Sequence, residues 1–244
     1  MTKEVLPEHC RGVRRGKRLT NLNSARHKRR YNAFSLIELV LVVGIITVLT
    51  GLVLSTVGYA RKKGALARAE TEIAAMSAAC ENYKADNAIY PRDPKPSIVT
   101  ATDTLDARTM GDPTNTIPPT YSAASLVLYR ALSGDRNLDG TVNATDENFD
   151  IDGTTLVPPL TQLPKSYFTF NPAFLLRADM SNPPSPSNPV TAIRDPLGYS
   201  YGYSTANQAD PTKGYNPTFD LWSTNSLRTN PPTAADQNQW IKNW

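Results

Sequence analysis

Histidine and cysteine are scarce in this chain of 244 residues, which contains only two of each. His9, His27 and Cys10 all lie within the first 33 residues, so the remainder has no histidine and a single cysteine, Cys80. Imidazole bases, histidine metal sites, Cys/His pairs and an intrachain disulfide are therefore excluded beyond residue 33. Catalysis by Ser/Lys or by paired carboxylates stays formally open, but no motif indicates it. The sequence predicts a protein that is not an enzyme.

Acidic residues are almost missing from the amino-terminal part. Residues 1–33 hold ten Lys or Arg against Glu4 and Glu8, a net charge of +8, although the whole chain carries only +4. The remaining residues together are therefore acidic. A basic arm of this kind can bind nucleic acid. The segment that follows it favours a membrane instead, so we expect no nucleic-acid partner.

Residues 39–60 form an apolar run of 22 residues without a charge. About 20 such residues cross the hydrocarbon core of a bilayer, and a buried soluble helix of this length would normally show a polar face. Small residues recur along the run and would let helices approach closely in lipid; they are Gly44, Thr47, Thr50, Gly51, Ser55 and Thr56. The basic arm outweighs Arg61, Lys62 and Lys63, which predicts a cytoplasmic amino end and an exported carboxyl end.

The helical pattern continues beyond the apolar run. Apolar residues are spaced by 7, 3, 4 and 3 positions with charges between them, namely Leu66, Ile73, Met76, Cys80 and Tyr83. The helix should end near Asn87, because Pro91 disfavours helical geometry at Tyr90. Cys80 is interpreted as a small packing residue on this helix.

The rest of the chain is rich in proline and predicts a small, loop-rich domain. We expect a polar loop over residues 92–120, a short helix over residues 122–132, and strands over residues 166–170, 199–204 and 218–223. The predicted fold class is α+β. A long amino-terminal transmembrane helix would pack on a small carboxyl-terminal antiparallel β-sheet domain.

A carboxylate, Glu38, stands at the start of the apolar run, in the sequence RRYNAFSLIELV of residues 29–40. An unpaired charge in a bilayer is costly, so a partner is expected unless the group lies among the headgroups. Residues 33–57 resemble the amino-terminal signature of type IV prepilins and of the pseudopilins of type II secretion. In that family a prepilin peptidase cuts before a phenylalanine and methylates the new amine.

The resemblance makes Ala33 and Phe34 the cleavage site and Phe34 the methylated residue. Glu38 falls where the family keeps a glutamate, and it implies a pairing with the amino-terminal ammonium of a neighbouring subunit in a filament. Ala33 departs from the glycine that is usual before the cut, and the leader is longer than most. The implied partners are further copies of the chain, prepilin peptidase, other pseudopilins and inner-membrane assembly proteins.

Three later segments are similar to the major pseudopilin of type II secretion: residues 80–91, residues 195–203 and residues 219–223. Their order matches the family. The family continues with a loop rich in glycine and aspartate that binds calcium, whereas residues 224–228 here read TNSLR. That departure puts the usual calcium site in doubt.

Another calcium candidate lies at residues 135–146, with the spacing of a twelve-residue calcium loop. Gly140 would make the sharp turn, and the loop resembles that of dockerins. The candidate ligands are Asp135, Asn137, Asp139, the Thr141 carbonyl, Asn143 and Asp146. A turn of Asn, Asp and Gly without metal is the alternative.

The sequence therefore predicts four parts: a leader over residues 1–33 that is removed, a transmembrane helix over residues 34–60, its periplasmic continuation over residues 61–91, and a pilin-like domain over residues 92–244 with an insertion at about 92–190. The expected function is that of a structural subunit of a type II secretion pseudopilus, anchored in the inner membrane with its domain in the periplasm. A type IV pilus or DNA-uptake pilin is the nearest alternative. An exported calcium-binding interaction protein, with a conventional signal peptide cut near Ala60, is a more distant one.

Overall fold

The computed structural model of the chain describes residues 35–92, 101–114 and 121–244. The chain divides into two compact units, one ending at Gly51 and one spanning Leu52–Trp244. The leader, Ala33 and Phe34 lie outside the described residues.

Helix α1 spans Leu36–Asn87, 52 residues. Its end near Asn87 confirms the sequence prediction. The next residue, Ala88, adopts a left-handed conformation (φ 62°) and its amide donates to the Lys84 carbonyl, a common way of closing a helix. Pro91 then follows, which cannot continue the helix.

The second unit contains four further α-helices and two small antiparallel sheets among its described residues. The helices are α2 (Ala101–Thr104), α3 (Tyr121–Ser133), α4 (Ala206–Ala209) and α5 (Ala234–Gln237), and 3₁₀ turns occupy Ala144–Asn148 and Pro172–Phe174. The strands are β1 (Leu175–Leu176), β2 (Ala192–Ile193), β3 (Gly202–Ser204), β4 (Asp220–Ser223) and β5 (Ile241–Lys242). One sheet pairs β1 with β2, and the other has the order β3-β4-β5. A long apolar helix and a small antiparallel sheet domain are thus present, in agreement with the α+β class.

The main core joins the carboxyl half of α1 to α3 and to the three-stranded sheet. From α1 it takes Ile73, Met76, Cys80 and Tyr83 of the predicted face, with Cys80 fully buried, whereas Leu66 is half-buried and lies outside this core. The other members include Leu128 and Leu132 of α3, Tyr201, Tyr203 and Leu221. A second cluster surrounds Trp222 and includes Trp240, Tyr121 and Leu105.

Two sequence predictions need correction. Residues 166–170 are not a strand, because the amides of Tyr167 and Phe168 both donate to the Leu132 carbonyl at the end of α3 instead of to a neighbouring strand. The loop over residues 92–120 contains α2, and Leu105 and Ala107 after it are fully buried. The two other predicted strands exist but are shorter, whereas α3 matches its prediction to within one residue at each end.

Candidate functional site

The apolar part of α1 exposes its large side chains in the described structure. Leu36 is 80% exposed, Leu39 61% and Leu54 69%. The helix is long and apolar enough to cross a membrane, and none of its apolar window is buried within the protein. A core helix of a soluble protein is mostly buried, whereas a signal sequence shares this length and composition. No described residue of the protein covers the apolar surface of this part of α1.

Three threonine hydroxyls of this segment are satisfied within the helix itself. The hydroxyls of Thr47, Thr50 and Thr56 donate to the Val43, Ile46 and Val53 carbonyls at 2.7–2.9 Å. A methyl group added at Gly44, Gly51 or Gly58 would meet nothing within 4 Å. Hydroxyls bound in this way present no unpaired donor to a neighbour, so the segment is suited to lipid or to other helices.

Glu38 forms a capping box with Ser35. The Ser35 amide and hydroxyl both donate to Glu38 Oε2 at 2.9 Å, and the Glu38 amide donates back to Ser35 Oγ at 3.3 Å. This reciprocal pairing satisfies amides at the helix start that have no partner within the helix. The Ser-x-x-Glu pattern is visible in the sequence, but the sequence analysis did not assign Ser35 this role. Oε1 of Glu38 accepts no hydrogen bond from the residues that the structure describes.

A second carboxylate, Glu72, ties the carboxyl half of α1 to the sheet domain. Its Oε1 accepts from Arg68 Nε at 2.7 Å, and its Oε2 accepts from the Tyr201 hydroxyl at 2.7 Å. Glu72 is 6% exposed and Tyr201 is fully buried, and burial together with this carboxylate raises the pKa of the Tyr201 hydroxyl. The two residues are 129 positions apart, so no local pattern in the sequence could reveal the contact.

The predicted calcium loop forms a closed turn stabilised by its own carboxylates. Asp135 is 1% exposed; its oxygens accept from the Asp139 amide at 3.1 Å, the Gly140 amide at 2.7 Å and the Tyr129 hydroxyl at 2.7 Å. Asp146 is fully buried and accepts from the amides of Arg136, Asn137 and Asn143 at 2.7–2.9 Å. Gly140 has φ 91°, as the sharp turn requires. The first and last acidic residues of the loop are thus both held by backbone amides of the loop.

The remaining predicted ligands are held by each other. Asp139 Oδ1 accepts from the Thr141 amide and hydroxyl, and Oδ2 accepts from the Asn137 and Asn143 side chains at 3.0 and 3.2 Å. Burial raises the pKa of Asp135, and the nearby Asp146 and Asp139 raise it further. Partial burial tends to raise the pKa of Asp139, but hydrogen bonds from Thr141, Asn137 and Asn143 lower it, and the pKa is lowered overall.

The donor set of this loop is of the oxygen type that calcium takes. Among the described residues, however, no group of three or more His, Cys, Asp or Glu side chains is arranged to hold a metal ion. Asn137 and Asn143 would have to turn their amide oxygens from the Asp139 and Thr145 amides toward the ion. The geometry is therefore compatible with a metal-free turn and with a calcium loop after side-chain rotation.

Comparison of the chain with protein-family models, with curated proteins and with solved structures finds no match. The residues and their geometry therefore carry the functional proposal.

Proposed function

We propose that this chain is a structural, non-catalytic subunit of a pilin-like filament and that its fold is pilin-like, closest to the major pseudopilin of type II secretion. The leader of residues 1–33 would be removed by prepilin peptidase, and the new amine of Phe34 methylated. The protein would cross the inner membrane once, with its domain in the periplasm, and would assemble with copies of itself, other pseudopilins and inner-membrane assembly proteins to act in protein export.

The observation that carries this proposal is the exposed apolar part of α1, which has Glu38 in its first turn and belongs to a helix whose later turns pack on a sheet. The capping box with Ser35 uses only Oε2 of Glu38, and a charge in lipid is costly, so a further partner for this carboxylate is expected. Pairing with the ammonium created by cleavage would neutralise both groups in a medium of low dielectric constant. A type IV pilus or DNA-uptake pilin shares these features and is the alternative.

Processing is the first test. Coexpression of the full chain with a prepilin peptidase should remove residues 1–33 and leave a methylated Phe34, as measured by mass spectrometry. A catalytically inactive peptidase is the control. A mature terminus at Arg61 would instead support a conventional signal peptide, and an uncut chain would indicate a simple anchor.

The second test separates the charge of Glu38 from its role in helix capping. Glu38→Gln keeps a residue that can complete a capping box but removes the charge, so it should be processed normally and fail to form filaments seen by electron microscopy. Ser35→Ala removes the box and keeps the charge, so it should still assemble. The opposite pattern would mean that helix capping, and not charge pairing, is what assembly requires.

We also propose that residues 135–146 bind one calcium ion through Asp135, Asn137, Asp139, Asn143, Asp146 and the Thr141 carbonyl. The support is the spacing of oxygen-bearing residues, together with the sharp turn at Gly140. Binding would add rigidity to a loop whose carboxylates repel one another when no cation is present.

A further inference from the structure

A small pocket lies where α1 meets the loops that flank the two-stranded sheet. Its volume is about 240 Å³, below the roughly 300–1,000 Å³ of small-molecule sites, which favours a side chain as its occupant. Its walls include Phe174, Pro196 and Leu197, and two arginines, Arg68 and Arg194, also line it. Apolar walls with guanidinium groups suit a carboxylate on a short apolar stem.

The charges of this pocket are not balanced from within. Arg68 Nε binds Glu72, and its guanidinium lies 4.8 Å from the centre of the Phe174 ring. Arg194 Nε donates to the Ala173 carbonyl at 2.7 Å, and Arg194 forms no ion pair with any residue that the structure describes.

The one carboxylate in the lining, Asp195, is directed inward. It is 3% exposed and accepts from the amides of Leu197 and Tyr199 and from the Ser223 hydroxyl. Burial raises its pKa. Arg194 is therefore a cation available to a group that enters the pocket from outside.

An unpaired carboxylate of matching size lies on the other side of α1. Glu70 is exposed and has neither an ion pair nor a hydrogen bond within the described part of the chain. Two residues correspond to about 200° around a helix, so Glu70 projects almost opposite to Arg68. The pocket and the free carboxylate thus lie on opposite faces of the same helix.

We propose that Glu70 of one copy enters the Arg68–Arg194 pocket of the next copy. Because the two complementary groups lie on opposite faces, the contact is heterologous, and such contacts repeat into open filaments when they do not close into a ring. The pairing rests on the proposed filament function and identifies a contact outside the apolar part of α1. Charge complementarity of this kind fixes the register of association.

A charge swap tests the pair, in the chain processed before Phe34. Arg194→Glu and Glu70→Arg should each reduce the sedimentable filament by about tenfold or more, because like charges then face each other. The double variant Arg194→Glu/Glu70→Arg should restore assembly. Arg228→Glu is the control for the charge change, since Arg228 is an exposed arginine outside the pocket; it should assemble normally. Circular dichroism confirms that each variant is folded.

A cysteine pair gives a second measurement. In the chain processed before Phe34, which no longer contains Cys10, Leu197→Cys together with Glu70→Cys should give a ladder of disulfide-linked multimers on non-reducing gels, whereas Leu197→Cys with Arg228→Cys should not. Cys80 is fully buried and does not interfere.

The outcomes separate this contact from the filament function. Filaments of the wild type without rescue by the double variant, or without a ladder, would overturn the Glu70 contact and leave the filament intact. Failure of the wild type to form filaments would overturn both proposals.

Discussion

The contact between Glu72 and Tyr201 should be one of the main attachments of α1 to the sheet domain. Tyr201→Phe removes only the hydroxyl and leaves the ring in the core. Hydrogen bonds to a charged group contribute about 1.5–3 kcal/mol, and this one is 2.7 Å long between a fully buried tyrosine and a carboxylate that is 6% exposed. We expect a loss of stability in that range, because Glu72 then keeps only Arg68 as a partner.

Thermal unfolding of the full chain in detergent micelles, followed by circular dichroism, measures this loss. A change of 1 kcal/mol shifts the melting temperature by about 2–4 °C in a domain of 150–250 residues, so Tyr201→Phe should lower it by roughly 3–12 °C. Tyr167→Phe is the matched control. Its hydroxyl accepts from Asn87 Nδ2 at 3.1 Å and bonds the Asp86 carboxylate, but both partners are exposed, so water can replace these bonds and the shift should be small.

A double variant checks that the effect belongs to this pair. Replacing both partners of a buried hydrogen bond costs less than leaving one unsatisfied. Glu72→Met/Tyr201→Phe should therefore be less destabilised than the sum of its two single variants. Equal shifts for Tyr201→Phe and Tyr167→Phe, or strict additivity in the double variant, would refute the reasoning.

Two further predictions concern the loop and the sheet. Calcium at 100 times its dissociation constant should stabilise the protein by about 2.7 kcal/mol, reversibly with EGTA, and Asp139→Ala should abolish most of the effect; magnesium should substitute poorly, and an unchanged melting temperature with no calorimetric heat would leave the loop as a turn. Gly202→Ala should lower the free energy of unfolding by about 1–3 kcal/mol in chemical denaturation, because the added methyl would lie 2.2 Å from the Trp222 ring. Gly64→Ala, where the methyl would meet nothing within 4 Å, should not destabilise the protein, and equal denaturation midpoints for the two variants would contradict this.

The two long helices, α1 and α3, were predictable because their signals are local, whereas the four-residue helices α2, α4 and α5 were not predicted. The apolar spacing predicted most of the buried face of α1, and Pro91 predicted where the helix ends, since each signal depends on residues within a few turns. The strands were not predictable to the same extent. None exceeds four residues, and a period of two cannot be established over so short a stretch.

The segment 166–170 shows why such a pattern misleads. Its aromatic residues resemble a strand, and Phe170 is indeed buried, packed against Phe168 and Tyr129. The backbone amides are satisfied by the end of α3 instead, so no ladder forms. Burial of aromatic side chains indicates contact with a core, and only the partner of the backbone amides decides whether the segment is a strand.

Among the candidate sites, too, those formed by neighbouring residues were visible in the sequence and those formed by distant residues were not. Residues 135–146 and the Ser35–Glu38 box are local patterns, so their spacing is visible in the sequence. The pocket needs the fold, because Arg68, Phe174 and Arg194 come from three separate parts of the chain. Glu70 and Glu72 differ in the direction in which they project from α1, because two positions correspond to about 200° around a helix. Glu72 points into the core, where Arg68 and Tyr201 bind it, and Glu70 is exposed. The contact that we propose with a second copy would pair the exposed charge on one face of α1 with the opposite charge on the other.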